Sequence, residues 1–126
     1  MKNSNSKAAA LGKLGESIAL DFLLKKGYKL LAKNYRFSRA EIDLIFNDET
    51  TPVFVEVKTL ASKKYGLPED QVRKAKRRQI AKAAQGWIDQ NNYSGEIRFD
   101  IVAITLEKGK SAEIYHIPDA FFPGID

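Results

Sequence analysis

The chain has 126 residues, of which 44% are hydrophobic and 29% are charged, and it contains no cysteine. This composition is typical of one globular domain, and it excludes a disulfide scaffold, a thiolate zinc site and a cysteine nucleophile. The 21 basic and 16 acidic residues give a net charge of +5, which favours a polyanionic partner.

The first half of the chain predicts a helix followed by three strands. Polar residues 1–7 are expected to form a flexible tail, and a single domain is expected over residues 8–126. Apolar residues then recur at the helical period until Gly27, after which short apolar runs are separated by turn residues. The predicted elements are a helix over about 8–26 and strands over 28–37, 41–47 and 52–59, with a hairpin loop at 48–51.

The second half predicts a long helix and two further strands. The helix follows Gly66 and Pro68 and ends before Asn91, and the strand after it is strongly apolar. The order α-β-β-β-α-β-β predicts an α/β fold with a mixed β-sheet flanked by helices. An antiparallel meander comes first, and the long helix then connects two parallel strands. The predicted elements are a helix over about 69–90 and strands over about 99–104 and 112–117.

Two features concern the location of the protein. No apolar run approaches the roughly 20 residues that span a bilayer. The apolar stretch near the N-terminus is too short for a signal peptide. We therefore expect a cytoplasmic protein that has no membrane partner.

Charged residues interrupt the apolar pattern of the two hairpin strands. Side chains alternate between the two faces of a strand, so Glu56 and Lys58 share one face of the second strand. In the first strand, the same rule puts Asp43 on the face opposite Ile42 and Leu44. The carboxylates therefore lie on faces that pairing of the two strands brings together.

The register of the hairpin follows from its loop. A loop at 48–51 pairs the residues that flank it, which puts Asp43 directly across from Glu56 and Glu41 across from Lys58. Opposed Cβ atoms lie roughly 4.5–5.5 Å apart. Two carboxylates that close repel each other unless a proton or a cation lies between them, and Mg²⁺ prefers such oxygen ligands. The hairpin thus predicts a metal site, with ordinary cross-strand ion pairs on a surface hairpin as the alternative.

A third carboxylate, Glu16, lies at the edge of the apolar stripe of the first helix. Its neighbours one turn away are Gly12 and Ala19, whose small size would let the glutamate reach the sheet. A glutamate on a helix is usually solvated, so Glu16 is expected at the site only in combination with the hairpin carboxylates.

The long helix carries six basic residues and no acidic residue over 72–82. Contact with nucleic-acid phosphates is one explanation, and a solvated helix face is the other. Lys76 and Gln79 fall on the apolar face that also holds Trp87, so we expect them to point at the carboxylates or at a bound phosphate. An open end of the sheet would instead leave both in solvent. The six basic residues are Arg73, Lys74, Lys76, Arg77, Arg78 and Lys82.

Taken together, these residues resemble the PD-(D/E)XK nuclease superfamily, in the layout of archaeal Holliday-junction resolvases. More closely, the chain is similar to the YraN family of small bacterial endonuclease-like proteins, over about residues 11–122. Two departures are Ala40, where the family usually has glycine, and Leu60, where it usually has arginine. The leucine removes a cation next to the site. The matching residues are Gly12, Gly15-Glu16, Lys26-Gly27-Tyr28, Asn34-Tyr35-Arg36, Glu41 to Ile45, Val53 to Thr59, Gly66, Lys76 to Gln79, Arg98 to Ala103 and Ala120-Phe121.

The resemblance implies a restriction-endonuclease-like core and cleavage of DNA that depends on Mg²⁺ or Mn²⁺. It implies that Asp43, Glu56 and the main-chain carbonyl of Val57 bind the metal. Glu16 would complete the metal ligands directly or through water, and Lys58 would orient or deprotonate the attacking water. Superfamily members often dimerise to make paired cuts, which leaves a homodimer open. The expected nucleic-acid-binding residues are Arg73, Lys76, Arg77, Arg78 and Gln79.

Two other functions remain open at this stage. One is a non-catalytic nucleic-acid-binding module that has kept the fold and the charge. The other is a structural or partner-binding protein that binds no nucleic acid. The acidic residues together with Lys58 favour the enzyme, because binding alone does not need clustered carboxylates that repel phosphate.

Overall fold

The computed structural model describes residues 2–62 and 74–121, which contain two helices and five strands. The predicted order of helices and strands is confirmed. Neither helix in the described ranges has the long apolar stretch that crossing a membrane requires. The elements are α1 (Lys2–Lys25), β1 (Lys29–Phe37), β2 (Ala40–Asp48), β3 (Thr51–Leu60), α2 (Lys74–Gln90), β4 (Arg98–Thr105) and β5 (Glu113–Ile117).

The five strands form one mixed sheet in the order β1-β2-β3-β4-β5. Neighbouring strands are antiparallel except β3 and β4, which are parallel and are connected through α2. Parallel strands need a long crossover connection, and the helical segment after β3 supplies it. The predicted antiparallel meander and parallel crossover are both confirmed.

A hydrophobic core lies on each face of the sheet. On one face, Phe54 and Phe99 pack with the buried side of α2 around Ile80. On the other face, Val55 and Val102 pack with residues of α1 that include Leu23. Alternation along β3 and β4 sends successive apolar side chains to opposite cores, which is why these strands are apolar on both faces.

The start of the first helix and the hairpin turn differ most from the sequence prediction, and other ends shift by about one residue. The first helix begins at Lys2 rather than near residue 8, because the polar residues 2–7 contain no proline or glycine to interrupt a helix. The hairpin has two turn residues instead of a loop at 48–51, since Asp48 pairs with Thr51. Glu49 adopts a φ of 57°, the left-handed conformation that two-residue hairpin turns use at their first central position. The predicted start of the second helix, with Val72, lies outside the described residues.

The regular alternation of β1 and β2 breaks at Asn34 and Asp43. Ile42 packs in the core on the α2 face, whereas Leu44 packs in the core on the α1 face. The ladder pairs Lys33 with Leu44 and next pairs the residues at 35 and 42, and Asn34 between them has a φ of 48°. The prediction that Ile42 and Leu44 share a face is therefore wrong, because it assumed an unbroken pleat.

Candidate metal centre

The predicted site residues surround a cleft where β2 and β3 separate. The hairpin register is confirmed from the Asp48–Thr51 pair to the Leu44–Val55 pair, where the backbone ladder ends. Beyond that pair lies a cleft of about 360 Å³, here termed the site cleft. Its lining residues are Ala8, Leu11, Gly12, Glu16, Asp43, Glu56, Val57, Lys58, Thr59, Leu60, Ala61 and Leu106.

Where the β2–β3 ladder ends, the side chain of Asp43 replaces the backbone of β2 as the hydrogen-bond partner of β3. The Val57 N–H donates a hydrogen bond of 2.8 Å to Asp43 Oδ2, which fixes the carboxylate beside β3. Burial raises the pKa of Asp43, and the negative charge of Glu16 adds to the rise. The Val57 hydrogen bond favours the ionised form but does not cancel these two effects.

Glu56 is the buried member of the site, with 8% of its surface exposed. Burial and the charge of Asp43 raise the pKa of Glu56 to about 8. Its Oε2 atom lies 3.8 Å from Lys76 Nζ. Its Oε1 atom is buried and has no hydrogen-bond partner within the part of the chain that the structure describes. Asp43 and Glu56, here termed the carboxylate pair, thus share one small volume in which their charge must be balanced by a proton or a cation.

α1 brings the third carboxylate to the rim of the same cleft. Glu16 Oε1 accepts a hydrogen bond of 3.1 Å from Asn34 Nδ2. The close approach of the helix to the sheet depends on Gly15, where an added Cβ would lie 1.9 Å from Thr59 Oγ1. The prediction assigned this role to Gly12 and Ala19: Ala19 is indeed fully buried in the core on the α1 face, but a Cβ at Gly12 would meet nothing within 4 Å among the described residues. The small residue that matters is therefore Gly15, which faces β3 directly.

Lys58 lies two residues beyond Glu56 on β3 and is half-buried in the wall of the site cleft. Its positive charge lowers the pKa of Glu56, although less than Lys76 does. The cleft therefore has one cation on β3 and a second that reaches Glu56 from α2. A phosphate or a water molecule in the cleft would meet Lys58 and the carboxylate pair together.

The donor set fits a hard divalent cation in part. Mg²⁺ and Mn²⁺ prefer carboxylate oxygens, which Asp43 and Glu56 supply; Glu56 Oε1 is buried and has no partner among the described residues, and Glu16 adds a third carboxylate at the rim. Across the described ranges, no three Asp, Glu or His side chains stand close enough together to form a complete protein-only metal site. Mg²⁺ commonly keeps several water ligands and binds one or two carboxylates, so the carboxylate pair is a sufficient protein contribution.

The structure separates the predicted nucleic-acid-binding residues of α2. Lys76 reaches the carboxylate pair, whereas Gln79 and Arg78 are exposed and do not line the site cleft. The Arg77 guanidinium lies 5.3 Å from the ring centroid of Phe121 and is half-buried. Arg73 lies outside the described residues.

Two polar features were missed by sequence reasoning. The first is Asn34, which orients Glu16. The sequence indicated it only through its residue type, because asparagine is uncommon inside a strand and tolerates the left-handed conformation. The second feature is a group of side chains around Asp100, here termed the Asp100 network. The signal for it was a charged pair two residues apart in a strand that is otherwise apolar. Its members are Tyr28, Asp48, Arg98, Asp100 and His116.

The Asp100 network connects Tyr28, in the turn before β1, with β2, β4 and β5. Asp100 is fully buried, and Arg98 donates to both of its carboxylate oxygens, at 2.9 and 3.0 Å. His116 Nε2 lies 2.7 Å from Asp100 Oδ2, and His116 Nδ1 accepts a hydrogen bond from Lys26 Nζ. Burial opposes the ionised form of Asp100, but these hydrogen bonds outweigh it and hold the pKa of Asp100 below its ordinary value. The network is therefore a satisfied structural ion cluster.

Comparison with known proteins agrees with the motifs. The family model described as "Uncharacterised protein family UPF0102" matches residues 15–104, a range that contains every carboxylate of the site cleft. A UPF0102 protein of Trichlorobacter lovleyi is 43% identical over 114 residues, which cover 89% of this chain and 90% of the relative. A UPF0102 protein of Flavobacterium psychrophilum is 45% identical over 112 residues, which cover 89% of this chain and 93% of the relative. The chain therefore belongs to the UPF0102 family, the YraN family that the motifs predicted.

Proposed function

We propose that this protein is a metal-dependent endonuclease that hydrolyses phosphodiester bonds in DNA in the cytoplasm. The observation that carries the proposal is the buried Glu56 Oε1 atom, which lacks a partner in the described ranges and lies beside Asp43. Leaving a buried polar atom unpaired costs about 1–3 kcal/mol, and more for a charged group. A cation held by both carboxylates would remove this cost together with their repulsion. A solvated hairpin of ordinary ion pairs has no such need.

The residues of the site cleft have complementary tasks in this proposal. Asp43, Glu56 and the Val57 carbonyl would hold Mg²⁺ or Mn²⁺, with Glu16 acting directly or through water. When bound, the cation would supply Lewis acidity and lower the pKa of a coordinated water. Lys58 would position that water against the phosphate and balance the charge that develops on the phosphate oxygens.

The basic residues of α2 would hold the DNA backbone near the site. Lys76 approaches the carboxylate pair from this helix, and Arg77 and Arg78 follow it. Contacts to phosphate position a nucleic acid without reading its sequence. We extend the same role to Arg73 and Gln79, and paired cuts in duplex DNA would require a homodimer.

A nicking assay on supercoiled, linear and branched DNA with Mg²⁺ or Mn²⁺ tests the proposal. Glu56→Gln keeps the size of the side chain and removes its charge, whereas Lys58→Ala removes the group that positions water. Each change is expected to lower the cleavage rate by roughly 100-fold or more. Matched controls are Glu49→Gln in the exposed hairpin turn and Lys108→Ala in an exposed turn, which should both cleave at the wild-type rate. Equal cleavage by all four variants would show that the activity does not come from this site.

A second candidate function is a nucleic-acid-binding module without catalysis. The specific observation in its favour is that Lys76 balances part of the charge on Glu56 by itself. In that case the wild-type protein would cut no DNA with any divalent metal. Lys58→Ala would then weaken DNA binding in a salt-dependent way, as the loss of any phosphate contact does. Under the enzyme proposal, Lys58→Ala would instead abolish cutting and leave most of the affinity in place.

A further inference from the structure

A second pocket lies between α1 and β1, on the other side of Glu16 from the carboxylate pair. It has a volume of about 250 Å³ and is here termed the lysine pocket. Glu16 lines both the lysine pocket and the site cleft, so the two are neighbours that share one wall. The lining residues of the lysine pocket are Lys13, Glu16, Ser17, Leu20, Lys33, Asn34 and Leu44.

The two neighbouring pockets have opposite charge. The lysine pocket is lined by two lysines and one carboxylate, and the hydrogen bond from Asn34 already engages that carboxylate. Lys13 and Lys33 are exposed, and neither forms an ion pair with another described residue. The site cleft is lined by three carboxylates and one lysine. An anion is therefore favoured in the lysine pocket, and a cation is favoured in the site cleft.

A nucleic-acid strand matches this alternation, because its phosphates recur along a flexible chain. A phosphate at the site cleft would bridge a metal ion and Lys58, and the next phosphates along the strand need cations of their own. The lysine pocket offers Lys13 and Lys33 on the two elements that flank it, together with the hydroxyl of Ser17 as a neutral donor. A free inorganic anion would gain less, because it would occupy only one of the two pockets.

We infer that the lysine pocket binds a backbone phosphate of the nucleic-acid strand whose neighbouring phosphodiester lies in the site cleft. This inference rests on the proposed function for the nature of its ligand. The strand would then run across α1 and β1, on the opposite face of the sheet from the basic residues of α2. Nucleic acid would be held on both faces of the sheet, with the carboxylate pair between the two contacts.

The test compares a double variant with a control of equal charge change. Lys13→Gln with Lys33→Gln removes both cations of the lysine pocket. Lys29→Gln with Lys108→Gln removes two exposed lysines that line neither pocket. Binding of a fluorescent duplex oligonucleotide is measured over a range of salt concentrations in a metal chelator, so that no cleavage occurs.

The pocket variant is expected to lose about 0.9 from the magnitude of the salt slope, corresponding to the one phosphate that the two lysines neutralise. The control should keep most of the wild-type slope. Lys13→Arg with Lys33→Arg keeps both charges and should restore the slope. Thermal melting of every variant establishes that the fold is unchanged.

Failure of this inference and failure of the proposed function give different results. If the pocket variant and the control lose the same affinity, the lysine pocket is not a phosphate site, whatever the cleavage assay shows. If the pocket variant alone loses the slope, the pocket binds phosphate even if the wild-type protein never cuts DNA.

Discussion

Glu56 is the residue at which burial and charge conflict most directly. Its pKa is about 8 in the folded protein against an ordinary value of 4.5, so the folded state retains a proton that the unfolded chain releases between these values. The free energy of unfolding of the metal-free protein should therefore fall as the pH rises through this window. Glu56→Gln removes the titrating group. The free energy of unfolding of this variant should therefore exceed that of wild type by an amount that grows with pH, to the order of a few kcal/mol at pH 8.

Urea unfolding of both proteins in a metal chelator, at several pH values between 5 and 8, checks this expectation. Lys76 and Asp43 are present in both proteins, and because Asp43 and Glu56 affect each other's pKa, the comparison reports the titration of the carboxylate pair. A constant difference between wild type and variant across that range would mean that Glu56 ionises normally.

Divalent metal should stabilise the wild-type protein through the carboxylate pair. A ligand that binds only the native state at 100 times its Kd adds roughly 2.7 kcal/mol to the free energy of unfolding. The Tm should therefore rise with millimolar Mg²⁺ or Mn²⁺, and the rise should be absent in Asp43→Asn and in Glu56→Gln. Calorimetric scans with metal and with chelator measure the shift. An equal rise in all three proteins would place metal binding elsewhere.

At the scale of elements, α1 and β3 cross at a distance that only glycine allows. An alanine Cβ at Gly15 would collide with the Thr59 side chain, so Gly15→Ala should destabilise the fold by about 1–3 kcal/mol. Gly12 lies one turn earlier in the same helix and faces open space. Gly12→Ala should therefore stabilise the protein by up to about 1 kcal/mol through helix propensity.

Chemical denaturation of the two variants measures both changes in the free energy of unfolding, which are expected to have opposite signs. Because the residues are separated by less than one helical turn, differences in helix length or end effects do not explain opposite signs. Two alanine variants with the same stability change would show that α1 does not approach β3 through Gly15.

The sequence predicted elements and pairing better than it predicted their irregularities. The Leu44–Val55 pairing followed from alternation and a short turn, and both are local properties. The alternation of side chains between the two faces breaks at Asn34 and Asp43, because the left-handed conformation of Asn34 interrupts the regular pleat. The pattern of apolar residues in the sequence does not indicate this interruption.

Side-chain roles on the helices were predicted unevenly for a related reason. A helical wheel places Lys76 next to the apolar face, and the structure brings that lysine to Glu56. The same helical wheel places Gln79 on this face, but Gln79 is exposed in the structure. A helical wheel does not indicate where the sheet beneath the helix ends. Gly12 and Gly15 are likewise indistinguishable until the rotation of α1 about its axis is known.

For the molecule as a whole, the carboxylate pair and the Asp100 network have opposite electrostatic character. Glu56 lies in the middle of β3 opposite Ile101, and Asp100 lies one residue earlier in the parallel strand β4, opposite Val55. The Glu56 Oε1 atom is buried without a partner in the described part of the chain, whereas the oxygens of Asp100 accept hydrogen bonds from Arg98, His116 and the Asp119 N–H. The carboxylate pair disfavours the ionised form of Glu56, whereas the Asp100 network stabilises the ionised form of Asp100 and with it the fold.

Asp100→Asn should therefore destabilise the protein by about 3–5 kcal/mol, because it leaves the half-buried Arg98 without its main partner. The pKa of Asp100 lies below its ordinary value, so its contribution is present above the unfolded pKa. That contribution is lost as the pH falls through the lowered folded pKa. Thermal melts between pH 2 and 7 should show the gap between wild type and variant closing at the acidic end. A gap that stays constant would mean that Asp100 is not ionised in the native state.

The irregular course of β1 also has a consequence for the behaviour of the protein in concentrated solution. β1 is an edge strand of nine residues, long enough to recruit a second chain through its unpaired backbone groups. The ladder shift near Leu31 and the left-handed Asn34 distort this edge, and the exposed Lys29 and Lys33 add charge to it. The distortion that aims Asn34 at Glu16 thus also makes the open edge a poor template for aggregation.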